Sequence, residues 1–471
     1  MNLPPPAAGR DVGIGFPQRI ESPAIPSSTL TDARDITPPM PHSPQPTAIR
    51  RRIIGVTMLM AFILYLDRIC MGEIVKSVSF NNDLKLTEEQ IGHILGSFFF
   101  TYALFQVPAG WASDRFGARP MLTIYIVLWS LFTAMTGFVT GFVGLLVVRL
   151  LCGVAEAGAY PTSMALIRRW IPLTGRATAS GMVALGGRIG GTLAPFLTIW
   201  LIVKMGNWRT SLWIDGAVGL VIAAIFWKMV RSNPHEHPQV NAAELELIGR
   251  PQGEKSLSAR ELKSALRAFV KSRSLWCNSA AQMLQNIGWG FLVTWLPTYL
   301  VRERGVGEIE GGKMLTYVLA FGMLGQIVGG YYCGWATRRF GLRWGRLLPM
   351  TSSMFVCAAA YVCCPFVEST WTLVACCAVV SFCTDLANPA LWAFMGDVGG
   401  RATAAAGGWG NMWGNFGASA GAMLIPWLMK VGGGDGKTIV FFTLAGAFVL
   451  AGLIVLPMDA TKKLIAEEPS H

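Results

Sequence analysis

"GWASDRFGAR", residues Gly110–Arg119, and "GWATRRFGLR", residues Gly334–Arg343, agree at seven of ten positions and stand 224 residues apart. Each copy ends a long apolar run with a burst of charge. A short charged phrase that recurs half a chain apart marks a chain built from two related units. One change alters the charge between the copies: Asp114 in the first is Arg338 in the second.

The surrounding composition says what kind of unit is repeated. Of 471 residues, 52% are hydrophobic and 14% charged, against about a quarter charged in a soluble domain. Apolar segments of about 20 residues, the length that crosses ~30 Å of hydrocarbon as an α-helix, recur from Arg50 onward. We place twelve spans near 52–73, 91–112, 119–138, 143–166, 177–202 and 209–230, then 275–300, 313–336, 346–366, 370–392, 402–429 and 438–457. The expected fold is an all-α membrane protein of two pseudo-symmetric six-helix bundles, residues 50–230 and 274–458. Residues 231–273 form a hydrophilic linker whose end, "SLSARELKSALRAF", has the pattern of an amphipathic helix with Ser258 as N-cap and Glu261 at the capping-box position. Residues 1–49 are a tail expected to be disordered, with 11 of the 26 prolines in its first 47 residues, and 459–471 form a second tail.

Lysine and arginine set the orientation. One face of the predicted spans carries 24 of the 39 basic residues and the other nine. The positive-inside rule then puts both tails and the linker in the cytoplasm of a multi-pass inner-membrane protein. The net charge of +12 is this orientation signal and not a nucleic-acid footprint, since no basic stretch with interleaved aromatics occurs in a soluble segment. The ten cysteines lie mostly in apolar runs and form no disulfide or zinc pattern. Five histidines without a paired metal motif leave no catalytic constellation, so no enzyme, metal or cofactor is expected. Three arginines, Arg68, Arg149 and Arg188, fall inside apolar spans, where an unpaired charge costs from ~2.5 to more than 10 kcal/mol.

A six-plus-six chain with a parallel repeat is the architecture of major facilitator transporters. The phrase carrying Gly110, Asp114, Arg115, Gly117 and Arg119 resembles that superfamily's signature loop after the second helix, a tight reversal with charges that latch or release a neighbouring helix end. "YLDR" (Tyr65–Arg68), "RLLCGVAEAGAYPT" (Arg149–Thr162), "TWLPTYL" (Thr294–Leu300) and "NMWGNFG" (Asn411–Gly417) resemble the superfamily's anion:cation symporters, over about residues 50–457. The resemblance implies a small organic anion as cargo, of the hexuronate, aldonate or aldarate kind, usually carried with a proton through alternating access. It also implies proton coupling by Asp67 and Glu156 and anion contact by Arg68, with Arg149 either binding the anion or pairing with an acid.

The residues support this chemistry independently. Arg149 and Glu156 are seven apart, hence on one helix face, with Glu156 ~20 Å along the fourth span, near mid-bilayer. Arginine grips carboxylates through two parallel charge-assisted bonds and never deprotonates. Glu156, deeper and without a sequence-adjacent arginine, is the better candidate to load and release a proton, while Asp67 stands next to Arg68. Arg188, in "ALGGRIGGTLAP", departs from the family pattern and lies ~18 Å along the fifth span. It either anchors a second anionic group or pairs with Glu156. Tyr102, Gln285, Trp289, Trp392 and Asn411 are further candidate substrate contacts. Asp385 is a candidate because no basic residue in its own span neutralises it. Asp215 is expected at a solvated outer helix end, and "HEH" at 235–237 in a solvated loop. Sodium coupling or exchange is the alternative mechanism, a transporter-like sensor is a more distant one, and the working unit is expected to be a monomer.

Overall fold

The computed structural model describes residues 45–249 and 258–464. The expected disorder of the tail at 1–49 falls outside the described residues as far as Pro44. Among the described residues every regular element is helical. Spans 1 to 6 are Ile49–Ile74, Glu88–Phe116, Ala118–Thr136, Phe142–Glu156 continued as Ala159–Trp170, Arg176–Met205 and Trp208–Met229. Span 7 runs through Arg273–Gly290, a π-turn at Phe291–Trp295 and Leu296–Arg304. The helix Glu308–Cys363 bends at Gly341 into spans 8 and 9, and Thr370–Gly399, Thr403–Gly432 and Gly436–Val455 are spans 10 to 12. Eight stretches are long and apolar enough to cross a membrane, and two of these, Glu310–Phe366 and Thr370–Val455, are several consecutive spans.

Local chemistry explains the interruptions. Pro161 has no N–H to return to Ala157, and span 4 breaks at residues 157–158. Pro297 removes the bond to Val293 in the same way, and the helix widens into its π-turn just before it. The two corners of the repeated phrase turn at equivalent glycines: Gly117 at φ 98°, ψ 149° and Gly341 at φ 80°, ψ 174°. These backbone angles lie in a region that only glycine enters without strain, so the phrase keeps its eighth residue in both copies.

Buried apolar side chains gather into two main clusters, one drawn from residues 49–248 and one from 281–460 with Met164 and Ala177 joining it. Outward-facing Val147, Val221, Leu324 and Leu450 are exposed apolar surface of the kind that meets lipid. Glycines let spans within a bundle touch along their backbones: Gly186 and Gly190 of span 5 lie on Met58 and Phe62, Gly325 and Gly329 of span 8 on Phe382 and Leu386, and Gly417 of span 11 on Met283.

The linker is folded onto both bundles. Glu244, in the short helix Ala242–Ile248, is fully buried and accepts hydrogen bonds from the backbone N–H groups of Ile49 and Arg50, each at 3.0 Å, and from the Thr47 hydroxyl and the Arg50 guanidinium. Burial alone would raise its carboxyl, yet these donors outweigh that and hold it below the usual glutamate range. The helix Ala259–Lys271 starts at Ser258, whose side chain and Glu261 form a capping box. Its Ala265 and Phe269 pack on Ala402, Ala405 and Ala406 at the start of span 11, and Glu261 pairs with Arg401 at 2.8 Å. The "HEH" segment differs from the solvated loop expected: the His237 ring stands edge-on to Trp170, 5.8 Å between centroids.

The backbone contacts give a direct stability test. A Cβ at Gly325 would collide with the main chain of Phe382, whereas one at Gly446 would meet nothing within 4 Å. Gly325→Val is expected to cost about 1–3 kcal/mol of overpacking and to lower the melting temperature in detergent by several degrees; Gly446→Ala should leave it within about a degree. Equal melting temperatures for the two variants would contradict this packing.

Candidate functional site

Spans 1 and 4 bring the first group of charges together. Arg68 donates to Glu156 Oε2 from Nε at 3.1 Å and from Nη2 at 2.8 Å. Its guanidinium also lies over Tyr102, Tyr65 and Phe98, at 4.3, 5.0 and 5.4 Å from the ring centroids. Three electron-rich ring faces and one carboxylate thus hold a charge that hydrocarbon would reject. The adjacency in sequence of Asp67 and Arg68 misleads. Successive residues on a helix point about 100° apart, and Asp67 turns into the bundle, where neither carboxylate oxygen has a protein hydrogen-bond partner. Its surroundings are Trp129, Arg149, Glu156 and Asp215.

Arg149 is buried with its guanidinium 4.6 Å from the Phe98 ring, and its Nε has no partner. It makes no ion pair with Glu156, although the two share a helix face. Asp215 does not lie at a solvated end: it is 7% exposed and faces inward among the same groups. Span 6 comes close to span 3 here, since Gly216 and Gly219 rest against Ser130, and that approach buries the acid.

The second group straddles the two bundles. Arg188 of span 5 donates from Nη2 to Asp385 Oδ1 of span 10 at 2.5 Å, so its partner is not Glu156. Asp385 is neutralised after all, by an arginine from the other bundle and not from its own span. Asn388 donates to the same Asp385 oxygen at 3.0 Å and accepts from the Gln285 amide at 2.7 Å. Arg188 also lies over the Trp289 ring at 4.7 Å. Between the two arginines stand Tyr65 and Tyr160, 6.1 Å apart edge to face, and Tyr160 meets Trp392 at 4.7 Å. Gly187 allows this wall, because a side chain there would strike the Tyr160 hydroxyl and the Tyr65 ring. On the opposite flank Asn411 of span 11 donates to the Tyr102 hydroxyl at 3.4 Å. Of the predicted contacts, Tyr102, Gln285, Trp289, Trp392, Asn411, Arg68, Arg188 and Asp385 therefore join one region along the bundle interface. Arg149 and Asp67 sit behind it, inside the first bundle.

Two carboxylates tie the bundles together at the basic face. Asp114 accepts from the backbone N–H groups of Ala404 at 3.0 Å and Ala405 at 2.8 Å, capping the first turn of span 11 across the interface. Gly110 lies one turn away, so close to the Ala404 main chain that no side chain fits. Arg115 and Arg119 do not share in this contact. Arg115 lies over Phe116 in its own helix, and Arg119 binds the Trp227 carbonyl at the end of span 6.

The second carboxylate is Asp397, in the part of span 10 beyond the expected end at residue 392. It binds Arg176 of span 5 at 2.5 Å and Arg346 of span 9 at 2.8 Å. Arg176 and Arg346, counted with the orientation charges in the sequence, are buried. A repeat does mark this place: "GRATA" stands at Gly175–Ala179 and again at Gly400–Ala404, the entries of spans 5 and 11. Each entry meets the other bundle's second span, Thr178 donating to Gly330 O at 3.0 Å on one side and Ala404 binding Asp114 on the other.

Two six-helix bundles with a polar interface, tied together at the basic face, define a transporter of the major facilitator type. The Major Facilitator Superfamily model matches residues 57–422, and the chain belongs to that family; it is a transporter and not an enzyme. Among curated proteins it is similar to the probable sulfoacetate transporter SauU of Cupriavidus necator, 28% identical over 87% of this chain and 94% of that one. It is also similar to the probable galactarate/D-glucarate transporter GudP of Bacillus subtilis, 27% identical over 87% and 91%, and to that organism's hexuronate transporter, 28% over 85% and 90%. Among solved structures, a double-Trp mutant of XylE shares the fold with a TM-score of 0.69 at 13% identity, covering 88% of this chain and 98% of that chain. The human organic anion transporter MFSD10 does so at 0.63 and 16%, covering 86% and 99%.

The Asp114 cap predicts a local effect. Asn at this position keeps one acceptor and loses the charge, and a hydrogen bond to a charged group contributes about 1.5–3 kcal/mol. Asp114→Asn is expected to speed amide exchange at Ala404 and Ala405 by about tenfold or more, read by hydrogen–deuterium exchange on the Thr403–Gly408 segment. Unchanged protection would mean that the carboxylate does not hold this helix start.

Proposed function

We propose that the chain imports an organic anion with two acidic ends, of the sugar-acid class, by proton symport through alternating access. The observation that carries this reading is the pair Arg68 and Arg188. Both are permanent cations at the bundle interface, each floored by aromatic rings and each paired with one carboxylate, with an aromatic wall between them. Two guanidiniums at one interface offer one partner to each carboxylate of a diacid, while Gln285, Asn411, Tyr102, Trp289 and Trp392 offer hydrogen bonds and ring faces to a polyol. Galactarate and D-glucarate, named in one group of relatives, are diacids of this shape. The strong basic bias of the tied face makes it cytoplasmic under the positive-inside rule, so the arrangement is a carrier closed to the cytoplasm. Residues 50–230 and 274–458 then act as the two rocking bundles of a single working chain, with Asp114, Gly110 and Gly117 at the corner of the gate.

Glu156 supplies the coupling. When the cargo's carboxylate takes Arg68, Glu156 loses its counter-charge, and a proton taken up by Glu156 restores neutrality. Asp67, buried without a partner beside Arg149, is the second proton carrier. Binding of the anion and protonation of the acid are thereby linked, which is what symport requires.

In proteoliposomes, uptake of D-glucarate should rise about tenfold when the outside is made acidic relative to the lumen. The Glu156→Gln protein should lose that response. Wild-type uptake indifferent to the gradient would defeat proton symport. Arg188→Ala should raise the KM for D-glucarate at least about tenfold while changing that for a hexuronate monoacid by less than about threefold, since it removes one of two charge-assisted contacts. Equal losses for the diacid and the monoacid would remove Arg188 from substrate recognition.

A further inference from the structure

The pairing of Arg188 with Asp385 has a property that substrate recognition alone does not require: its two members belong to different bundles. Asp385 is 1% exposed, while the Arg188 side chain keeps 22% of its surface accessible. The carboxylate is aimed from behind by Asn388, which is itself held by Gln285 of span 7. Gly322 of span 8 lies against its second oxygen, where a side chain would collide. Spans 7, 8 and 10 thus present one carboxylate to an arginine of span 5, across the bundle interface.

A carrier that performs net import must return empty. During that return the interface closes around Arg188 without cargo, and an uncompensated guanidinium in a closed apolar seam costs from ~2.5 to more than 10 kcal/mol. An arginine that moves with its own carboxylate avoids this cost. We propose that Asp385 is an internal counter-ion that takes the cargo's place on Arg188 in the empty carrier, and so permits net import in place of obligatory one-for-one exchange. Arriving cargo displaces Asp385 from Arg188, and the freed carboxylate takes up a proton and keeps its hydrogen bond from Asn388, so that no uncompensated charge is buried in the loaded carrier either. The inference rests on the transport reading above and adds to it the step that occurs without cargo.

The test compares two fluxes of D-glucarate in proteoliposomes holding the full chain. Net uptake into empty vesicles needs the empty return; exchange into vesicles preloaded with D-glucarate does not. Asp385→Asn is expected to lower the ratio of net uptake to exchange by about tenfold or more. The double variant Arg188→Gln/Asp385→Asn, which carries no unpaired charge, should restore the ratio even though its affinity is weaker. Parallel loss of both fluxes in Asp385→Asn, or a double variant whose ratio stays low, would overturn the proposal. A second measurement is independent of the cargo: formate should raise the melting temperature of Asp385→Ala by filling the missing carboxylate's place on Arg188, and should leave the wild type unchanged. No response of Asp385→Ala to formate would also overturn it. A wild type that moves no D-glucarate in either assay defeats the cargo assignment, and the formate result still decides the counter-ion.

Discussion

A guanidinium inside a membrane must travel with a counter-charge, and most of the polar architecture of this chain follows from that requirement. Arg68 is held by Glu156, Arg188 by Asp385, and Arg176 and Arg346 together by Asp397. Arg149 stands among Asp67, Glu156 and Asp215 without a direct pair. In each direct pair the partners come from different helices. The ion pairs therefore act between rigid elements, and a rearrangement of helices is also an exchange of charge partners. That coupling of motion to charge is what secondary transport requires.

Duplication made the two halves alike in backbone and left them free to diverge in chemistry. The corners at Gly117 and Gly341 share their unusual backbone angles, and the entries of spans 5 and 11 share their sequence. Yet one corner latches through a carboxylate capping bare backbone, while the other has Arg338 in the acid's place and closes through Asp397, a residue of another span. A cap on peptide N–H groups depends on the helix start being formed; a pair with two arginines depends on side chains alone. The basic face is therefore held by one contact sensitive to backbone order and one sensitive to charge.

Much of this was legible beforehand, for physical reasons. Twenty-residue apolar runs, the repeated corner phrase and arginines within spans are local signals, and they located all twelve helices and most of the interface residues. What escaped were facts of pairing between distant segments. Asp67 and Arg68 are neighbours in sequence and point to different places. Asp385 has no cation in its span and finds one 197 residues away. Asp215 stands near the start of its span, where the sequence suggests a wet helix end, and packing of Gly216 and Gly219 against Ser130 buries it. Asp397 was missed because its helix runs to Gly399. Gly396, Asp397 and Gly399 lower the apolar signal after 392, although the protein buries this stretch.

The linker carries a mechanical consequence. Its first part is sewn to the first bundle through Glu244 and Ile248, and its last helix is seated on the second through Phe269 and Glu261. The polypeptide thus works as a leash with both ends tied down. A shift of one bundle against the other at this face would be felt at both anchors.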